Sequence, residues 1–369
     1  MSGAPPSDPP TIAAAGVWRV ALPLRAAHVA AHGTERDRQV LLVRVVAADG
    51  AVGWGECPTL SRPGYTAEWT DGAWDRLRAD LLPALLAGEE PGPSAPPMAA
   101  GAVRDALLDL ALRRERRQPS PSPLGASSTA VPFGVAVGLG DDPGVVVDEV
   151  DRAVAAGARL VVLKVRPGWS VVPLAAVRKR RPGVAVAVDA NGSFGLDDLD
   201  ELRAVAAEGP AFVEQPLPAA DLAGSARVAA AIGAPVALDE GVATLADLAA
   251  AVAARAATMV TVKPARMGGH LVAAEAVAQA HRAGWGVHVG GMLESGLGRA
   301  AARRLAARPE VGGPSMVGPT ELLFTADVVA PVGVDPEGAV AVPVGPGLAP
   351  PPDPDRLAAL TVDRWEARP

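Results

Sequence analysis

Residues 160–165, with the sequence LVVLKV, open a repeat that decides the fold. Five short apolar runs rich in β-branched residues follow one another: Leu160 to Val165, Val184 to Asp189, Ala211 to Glu214, Pro235 to Asp239 and Met259 to Lys263. Runs of this length and composition predict buried strands. The stretches between them have helical length, so the segment predicts strands and helices in alternation.

The charged residues at the ends of these runs recur at a nearly constant interval. Lys164, Asp189, Glu214, Asp239 and Lys263 are separated by 25, 25, 25 and 24 residues. A strand-helix unit of this size suits a (β/α)8 barrel, whose chemistry gathers at the carboxyl ends of its strands. The sequence therefore predicts an α/β barrel in which these five charges meet in one pocket.

Composition excludes several other classes of protein. The net charge of -7 argues against nucleic acid or an anionic membrane surface as a partner. A single cysteine, Cys57, suits a reducing compartment, so we expect a cytoplasmic protein. No uncharged apolar run reaches the roughly 18 residues of a membrane span. A chain of 369 residues has room for a barrel and a smaller companion domain.

The parts of the chain outside the repeat are expected to surround the barrel. We predict a disordered tail over residues 1–16, an N-terminal α+β capping domain over 17–125, the barrel over 126–327 and a Pro-rich segment over 328–369 that packs back on the capping domain. The remaining barrel strands are predicted at Pro132 to Val137, Gly286 to Val289 and, poorly marked, near Pro314 to Val317.

Three strands and two helices are predicted in the capping domain. The strands form a meander, and their expected bounds are Val17 to Leu22, Val40 to Val46 and Ala51 to Trp54. The second hairpin turns at Asp49-Gly50. The helices are expected at about Ala67 to Leu86 and Met98 to Arg114. Such a domain can close the mouth of the barrel.

Two lysines are the candidate acid and base. Only three of the 34 basic residues are lysine, and Lys179 lies among arginines on a predicted helix surface. Lysine can be tuned to lose its proton, whereas arginine cannot. Strands two and six of an eight-stranded ring lie opposite each other, so Lys164 and Lys263 should face each other. His288 on strand seven is interpreted as filling space.

Three carboxylates lie on the strands between the two lysines. Asp189, Glu214 and Asp239 cannot all stay ionised at close range without a cation, and oxygen ligands favour Mg²⁺ or Mn²⁺. Such an ion would hold a substrate carboxylate and stabilise the enediolate formed when the α-proton leaves. One lysine would take the proton from one face, and the other would return it on the opposite face.

Six short motifs lie at or just after the predicted strand ends: VLK at 162–164, VDAN at 188–191, VEQP at 213–216, LDE at 238–240, VKP at 262–264 and MGG at 267–269. This set resembles the enolase superfamily, muconate-lactonizing subgroup. A second set is similar to N-acylamino acid racemases and o-succinylbenzoate synthases: GWGEC at 53–57, GYTAE at 64–68, PGW at 167–169 and GGMLESGLGR at 290–299. Their order and spacing together are highly specific.

The resemblance implies a fold and a set of residue roles. The fold is an α+β capping domain on a modified (β/α)8 TIM barrel. The implied roles are metal ligands for Asp189, Glu214 and Asp239, acid and base for Lys164 and Lys263, support for Asn191 and Glu240, and substrate contact for Tyr65, Gly291, Met292 and Glu294. Tyr65 has an alternative interpretation as plain packing.

Three departures from the family pattern concern the substrate. Val162 stands where the family usually has lysine, two residues before Lys164, and that lysine adds positive charge near the enediolate. Ser315-Met316 stands where the eighth strand usually carries Gly-Asp. His28 and His32 stand where a specificity loop usually carries aromatic residues. The metal and lysine set is complete.

The resemblance implies proton abstraction next to a carboxylate, and three functions follow. The first is N-acyl (N-succinyl) amino acid racemase, the second is o-succinylbenzoate synthase, and the third is a catalytically weakened member that acts as a binding protein, suggested by Val162. Racemisation needs bases on both faces, and both are present; dehydration needs one. We expect a small-molecule carboxylate substrate and a homo-oligomer.

Overall fold

The computed structural model describes residues 10–26, 28–30, 33–35, 38–119 and 127–369. Residues 1–9 of the expected tail, His32 and the expected domain boundary at 125–126 lie outside the described residues. For residues 12–16 the expectation of disorder is wrong, because a strand begins at Ile12 and buries Ile12 and Ala15 against the capping sheet.

The described strands are numbered in chain order. They are β1 (Ile12–Leu22), β2 (His28–Ala30), β3 (Gly33–Glu35), β4 (Arg38–Ala47), β5 (Val52–Cys57), β6 (Ala130–Pro132), β7 (Gly134–Val137), β8 (Leu160–Lys164), β9 (Ala185–Asp189), β10 (Val213–Glu214), β11 (Val236–Leu238), β12 (Met259–Val262), β13 (Gly286–Val289), β14 (Ala339–Ala341) and β15 (Thr361–Ala367).

The described helices are numbered in the same way. They are α1 (Thr70–Arg76), α2 (Leu82–Leu86), α3 (Pro97–Arg114), α4 (Pro143–Ala155), α5 (Val171–Arg180), α6 (Leu199–Ala207), α7 (Leu222–Ala231), α8 (Leu245–Ala254), α9 (Pro264–Met267), α10 (His270–Arg282), α11 (Gly296–Ala306) and α12 (Pro354–Leu360). A π-helical turn joins α1 to α2, and 3-10 turns precede α6 and follow α11. No helix in the described ranges is long and apolar enough to cross a membrane.

The capping sheet has the strand order β15-β1-β4-β5, and its three N-terminal strands form the predicted antiparallel meander. Helix α3 lies directly against β5. This close approach requires glycine, because a Cβ at Gly53 or Gly55 would overlap the carbonyl oxygens of Ala106 and Ala102. The predicted second helix is confirmed as α3, whereas the predicted first helix starts later, at Thr70, and is interrupted by the π turn.

The barrel is a parallel sheet with the strand order β13-β12-β11-β10-β9-β8-β7. The predicted eighth strand is replaced by a short irregular segment that closes the ring. The Gly134 amide donates to the Ser315 carbonyl (2.8 Å), and the Met316 amide donates to the Val289 carbonyl (2.8 Å). The hydrogen-bond ladder does not continue past this segment, because the Val317 amide donates back to the Ser315 carbonyl (2.8 Å).

The C-terminal part of the chain returns to two distant elements. Strand β14 pairs antiparallel with β6, just before the barrel begins. Strand β15 pairs antiparallel with β1, from Ala15 opposite Ala367 to Val20 opposite Thr361. The capping sheet therefore contains strands from both ends of the described chain. The division into a capping domain, a barrel and a C-terminal segment stays a prediction.

Candidate active site

The five charges of the repeat lie at the carboxyl ends of five neighbouring barrel strands. Lys164 is paired in register with Asp189, and Asp189 with Glu214. Asp239 and Lys263 come immediately after β11 and β12. Because the strands are parallel and adjacent, residues separated by 25 positions in sequence become neighbours across the sheet.

Lys164 is largely covered, with its side chain 12% exposed, and forms an ion pair. Its Nζ donates to Asp189 Oδ2 (2.5 Å) and to Asn191 Oδ1 (2.9 Å). The Asn191 side chain donates in turn to Glu240 Oε1 (2.9 Å). Burial disfavours the charged ammonium, but the neighbouring Asp189 carboxylate outweighs burial and raises the pKa of Lys164 above its ordinary value. Asn191 and Glu240 thus form the outer layer behind this lysine.

Lys263 forms the corresponding ion pair on the other side. Its Nζ donates to Asp239 Oδ2 (2.6 Å) and to the Tyr65 hydroxyl. The Tyr65 hydroxyl donates to the same carboxylate oxygen of Asp239 (2.7 Å). The structure therefore brings Tyr65, from the capping loop, into polar contact with the predicted acid-base residue Lys263, so Tyr65 is not limited to packing.

Arg266 is a member of this cluster that sequence analysis missed. It follows Lys263 by three residues, in the short helix α9, and its Nη1 donates to Asp239 Oδ1 (2.6 Å). Its Nη2 donates to the Asp239 carbonyl (2.8 Å). Burial alone would raise the pKa of Asp239, yet Arg266 and Lys263 lower it below its ordinary value. The available signal in the sequence was an arginine about one helical turn beyond Lys263, a predicted site residue.

Glu214 lies between the two ion pairs, and within the described part of the chain no lysine or arginine donates a hydrogen bond to it. It is 5% exposed and accepts from Thr261 Oγ1 (2.6 Å). Burial, together with the charges of Asp189 and Asp239, raises the pKa of Glu214 well above its ordinary value. An added positive charge at this point would allow all three carboxylates to remain ionised.

The chemistry of these donors fits a hard divalent cation, because all three are carboxylates. As the side chains stand, Asp189 and Asp239 are turned toward the lysines. Within the described part of the chain, no three His, Cys, Asp or Glu side chains are grouped closely enough to hold a metal ion. The metal centre predicted at Asp189, Glu214 and Asp239 therefore stays a prediction that the donor set supports.

A cavity of about 700 Å³ opens above the charges. Both lysines, Gly291 and Leu293 line it, together with Val162. Of the other three residues predicted to contact substrate, Tyr65 lies at Lys263, and the remaining two have different neighbours in this structure. Met292 packs into the hydrophobic core of the capping domain. Glu294 pairs with Arg299 (3.1 Å) and accepts from the Met292 amide (2.7 Å). Their contact with substrate stays untested.

Val162 belongs to an apolar layer beneath the charges. The buried members of this layer are Leu160, Val162, Ala187, Phe212 and Ala237. Strand side chains alternate between two faces, so Val162 lies on the same side of β8 as Lys164, one step closer to the barrel floor. At the position where the family usually has lysine, Val162 therefore makes apolar contacts within this layer.

His288 lies in the wall of the same cavity. Its Nδ1 is 3.1 Å from the Pro314 carbonyl, which can only accept, so Nδ1 carries the proton. Its ring packs on Phe212 with a centroid distance of 5.3 Å. Burial lowers the pKa of His288 to about 4, so the imidazole is neutral near pH 7. These contacts agree with its interpretation as a residue that fills space.

Comparisons with known proteins find similar sequences over most of the chain. Residues 145–356 match the family model described as Enolase C-terminal domain-like. The chain is 38% identical over 356 residues to an N-succinylamino acid racemase from Amycolatopsis sp, covering 93% of this chain and 95% of that protein. It is 30% identical to the o-succinylbenzoate synthase of Geobacillus kaustophilus, covering 88% of this chain and 89% of that enzyme.

A solved structure is similar over nearly the whole chain. It is an enolase-superfamily protein from Listeria innocua Clip11262, with a TM-score of 0.89 and 25% identity, covering 97% of this chain and 99% of that one. The match includes the capping sheet as well as the barrel. The predicted combination of capping domain and modified barrel is therefore confirmed.

Proposed function

The chain belongs to the Enolase C-terminal domain-like family and is an enzyme of the enolase superfamily, and we propose that it racemises N-succinyl amino acids. The observation that carries this proposal is the opposed pair of lysines. The proposal is also supported by the 38% identity to a protein named N-succinylamino acid racemase.

The strand order explains why two lysines suit racemisation. Lys164 ends β8 and Lys263 follows β12. Three strands separate β8 from β12 in one direction around the ring. In the other direction they are separated by β13, the closing segment at Ser315 and β7. An equal number of positions on both sides puts the lysines on opposite sides of the cavity, as a two-base reaction requires.

We assign a divalent cation, Mg²⁺ or Mn²⁺, to Asp189, Glu214 and Asp239. When bound, it would supply positive charge for the substrate carboxylate and for the enediolate. The protein's own part is to bring the α-carbon between the two lysine nitrogens. Lys164 can accept a proton only in its neutral form, which its pairing with Asp189 opposes; a cation held by Asp189 would offset the charge of that carboxylate and favour the neutral amine.

The proton transfers then follow from position. One lysine removes the α-proton, which leaves an enediolate whose α-carbon is planar. The other lysine, as an ammonium, delivers a proton to the opposite face and so inverts the configuration. Tyr65 and Arg266 fix the Asp239 carboxylate beside Lys263. Asn191 fixes Lys164 in the same manner.

The alternative function is o-succinylbenzoate synthase, and it is supported by relatives of that name, including the enzyme at 30% identity. Its dehydration uses the same proton abstraction next to a carboxylate but needs only one face. The binding-protein alternative has no support in the comparisons, whose relatives are named as enzymes.

Proton exchange in D₂O tests the proposal directly. Wild-type enzyme with Mg²⁺ should exchange the α-proton of both enantiomers of an N-succinyl amino acid. Lys164→Ala and Lys263→Ala should each stop racemisation, yet each should still exchange one enantiomer, and the two variants should prefer opposite hands. Lys179→Ala, which changes a surface lysine on α5, is the matched control.

Two results would contradict the two-base assignment. One is loss of exchange for both enantiomers in one lysine variant with no effect in the other. The second is a wild-type enzyme that racemises nothing. The same preparations should be offered the cyclohexadiene precursor of o-succinylbenzoate, because dehydration far faster than racemisation would make the synthase the main function.

A further inference from the structure

Arg38 is a buried arginine that joins the two domains at the cavity. It begins strand β4, is 1% exposed, and donates to backbone carbonyls on two separate loops. On the capping side, Nη1 donates to the Thr59 carbonyl (2.5 Å) and Nη2 to the Pro58 carbonyl (2.8 Å). On the barrel side, Nε donates to the Leu293 carbonyl and Nη2 to the Met292 carbonyl, both at 2.8 Å.

Both loops reach the candidate active site. Pro58 and Thr59 follow β5 and lead into the loop that carries Tyr65, whose hydroxyl contacts Lys263. Leu293 follows β13 and lines the cavity. The planar guanidinium has several donors in a fixed arrangement, so it can fix four carbonyl groups relative to one another. Lysine, with a single ammonium on a flexible stem, cannot.

The barrel loop is held in a strained conformation. Leu293 has a φ of 54°, in the left-handed region that residues other than glycine rarely adopt. Such a conformation persists only where the surroundings over-determine it. Here the Leu293 carbonyl is bound by Arg38, and the preceding Met292 amide is bound by Glu294, which is itself paired with Arg299. In this conformation Leu293 lines the cavity and also packs against the core cluster that contains Trp18 and Phe324.

We propose that Arg38 is a positioning residue that sets substrate selectivity by holding Leu293 in the cavity wall and tying the 58–59 and 292–293 loops together. It does not touch the reacting atoms. Its effect on selectivity rests on the proposed racemase function, whereas its effect on the two loops does not. Loosening Arg38 should therefore change both loops at once and weaken discrimination between large and small substrate side chains.

The first experiment is independent of activity. Amide hydrogen exchange is measured in wild type, Arg38→Lys, Arg38→Gln and the control Arg44→Lys. Arg44 lies on the same strand, but its side chain is 35% exposed and forms a 3.7 Å surface pair with Glu366. The Arg38 variants should exchange faster in peptides 57–68 and 290–297 together, while β9 and β10 exchange as in wild type. Unchanged exchange in peptide 290–297, or a general increase throughout the barrel, would overturn the proposal.

The second experiment measures selectivity. The ratio of kcat/KM for N-succinylphenylalanine to that for N-succinylalanine should change by about tenfold in both Arg38 variants and stay the same in Arg44→Lys. An equal loss for both substrates would indicate a merely structural role. If wild type racemises neither substrate, the proposed function fails, and the exchange experiment still decides the role of Arg38.

Leu293→Gly keeps the test decisive if the Arg38 variants do not fold. Glycine accepts a positive φ without strain, and this gain offsets part of the packing lost with the partly buried Leu293 side chain, so this variant should fold. It removes the side chain from the wall, so the selectivity ratio should shift in the same direction as in the Arg38 variants. Adding Arg38→Lys to it should produce little further change in the ratio. An unchanged ratio in Leu293→Gly alone would overturn the proposal.

Discussion

Replacing Val162 by lysine tests whether the apolar layer beneath Lys164 limits the rate. The new ammonium would lie on the same face of β8, one step below Lys164, where Val162 now lines the cavity. Lysine at this point would add positive charge near the enediolate. The substitution has separate consequences for stability and for turnover, and both can be estimated from the contacts of Val162.

The stability should fall. Val162 is 3% exposed and packs with Leu160, Ala187 and Phe212. Full burial of a valine side chain contributes about 1.5–3 kcal/mol, and most of this is lost when the lysine stem turns upward. Because the lysine ammonium can extend into the cavity, it can stay hydrated, and no further cost for burying a charge is expected. We therefore expect the free energy of unfolding to fall by about 2 kcal/mol.

Turnover should rise. A hydrogen bond to a charged group contributes about 1.5–3 kcal/mol, which corresponds to an increase in kcat of roughly 10- to 150-fold if the bond forms only with the enediolate. Val162→Met is the matched control, because methionine supplies a stem of similar length without the charge. The measurements are urea unfolding and steady-state racemisation of N-succinyl amino acids. A folded Val162→Lys enzyme with a much lower kcat would refute the reasoning and indicate a cavity adapted to an apolar substrate group.

Two further predictions concern the metal centre and pH. Glu214→Gln should abolish both turnover and Mg²⁺ binding measured by calorimetry, while the fold is kept; the control Glu275→Gln, at an exposed site, should leave both unchanged. Full wild-type activity in excess chelator would disprove the metal assignment. The pKa of His288 is about 4 when folded, against 6.5 ordinarily, so between these pH values the unfolded chain binds more protons and stability is lost as pH falls. This loss of stability amounts to about 3 kcal/mol. It should be absent in His288→Asn when the free energy of unfolding is measured in urea at several pH values, and an unchanged pH dependence in that variant would exclude His288 as its source.

The barrel and its charges were predictable because both depend on a local repeat. Each apolar run fixes one strand, and the parallel arrangement brings residues 25 positions apart to the same edge of the sheet. That is why Lys164, Asp189 and Glu214 are neighbours as expected. The same logic placed the closing segment near Ser315 correctly but overestimated its regularity, since the turn at Val317 is not visible in a hydrophobic pattern.

The remaining features depend on contacts between distant segments. Ile12 begins a strand because it finds partners in β4, which no local pattern announces. Arg266 became part of the site through the direction of the short helix α9. Arg38 reaches carbonyls on loops that precede and follow the barrel repeat, and Leu293 has a strained φ that its own sequence does not favour. These contacts join segments that are far apart in sequence, so they can be identified only in the folded structure.

The pairing of β15 with β1 has a consequence for how the protein is made. A ribosome releases β1 before the barrel, whereas residues 361–367 emerge only after the whole barrel. Until then one side of β1 exposes unpaired peptide groups, and such edges readily join other chains. The nascent capping sheet is therefore open to such pairing until β15 is released, and slower synthesis of the barrel would lengthen that interval.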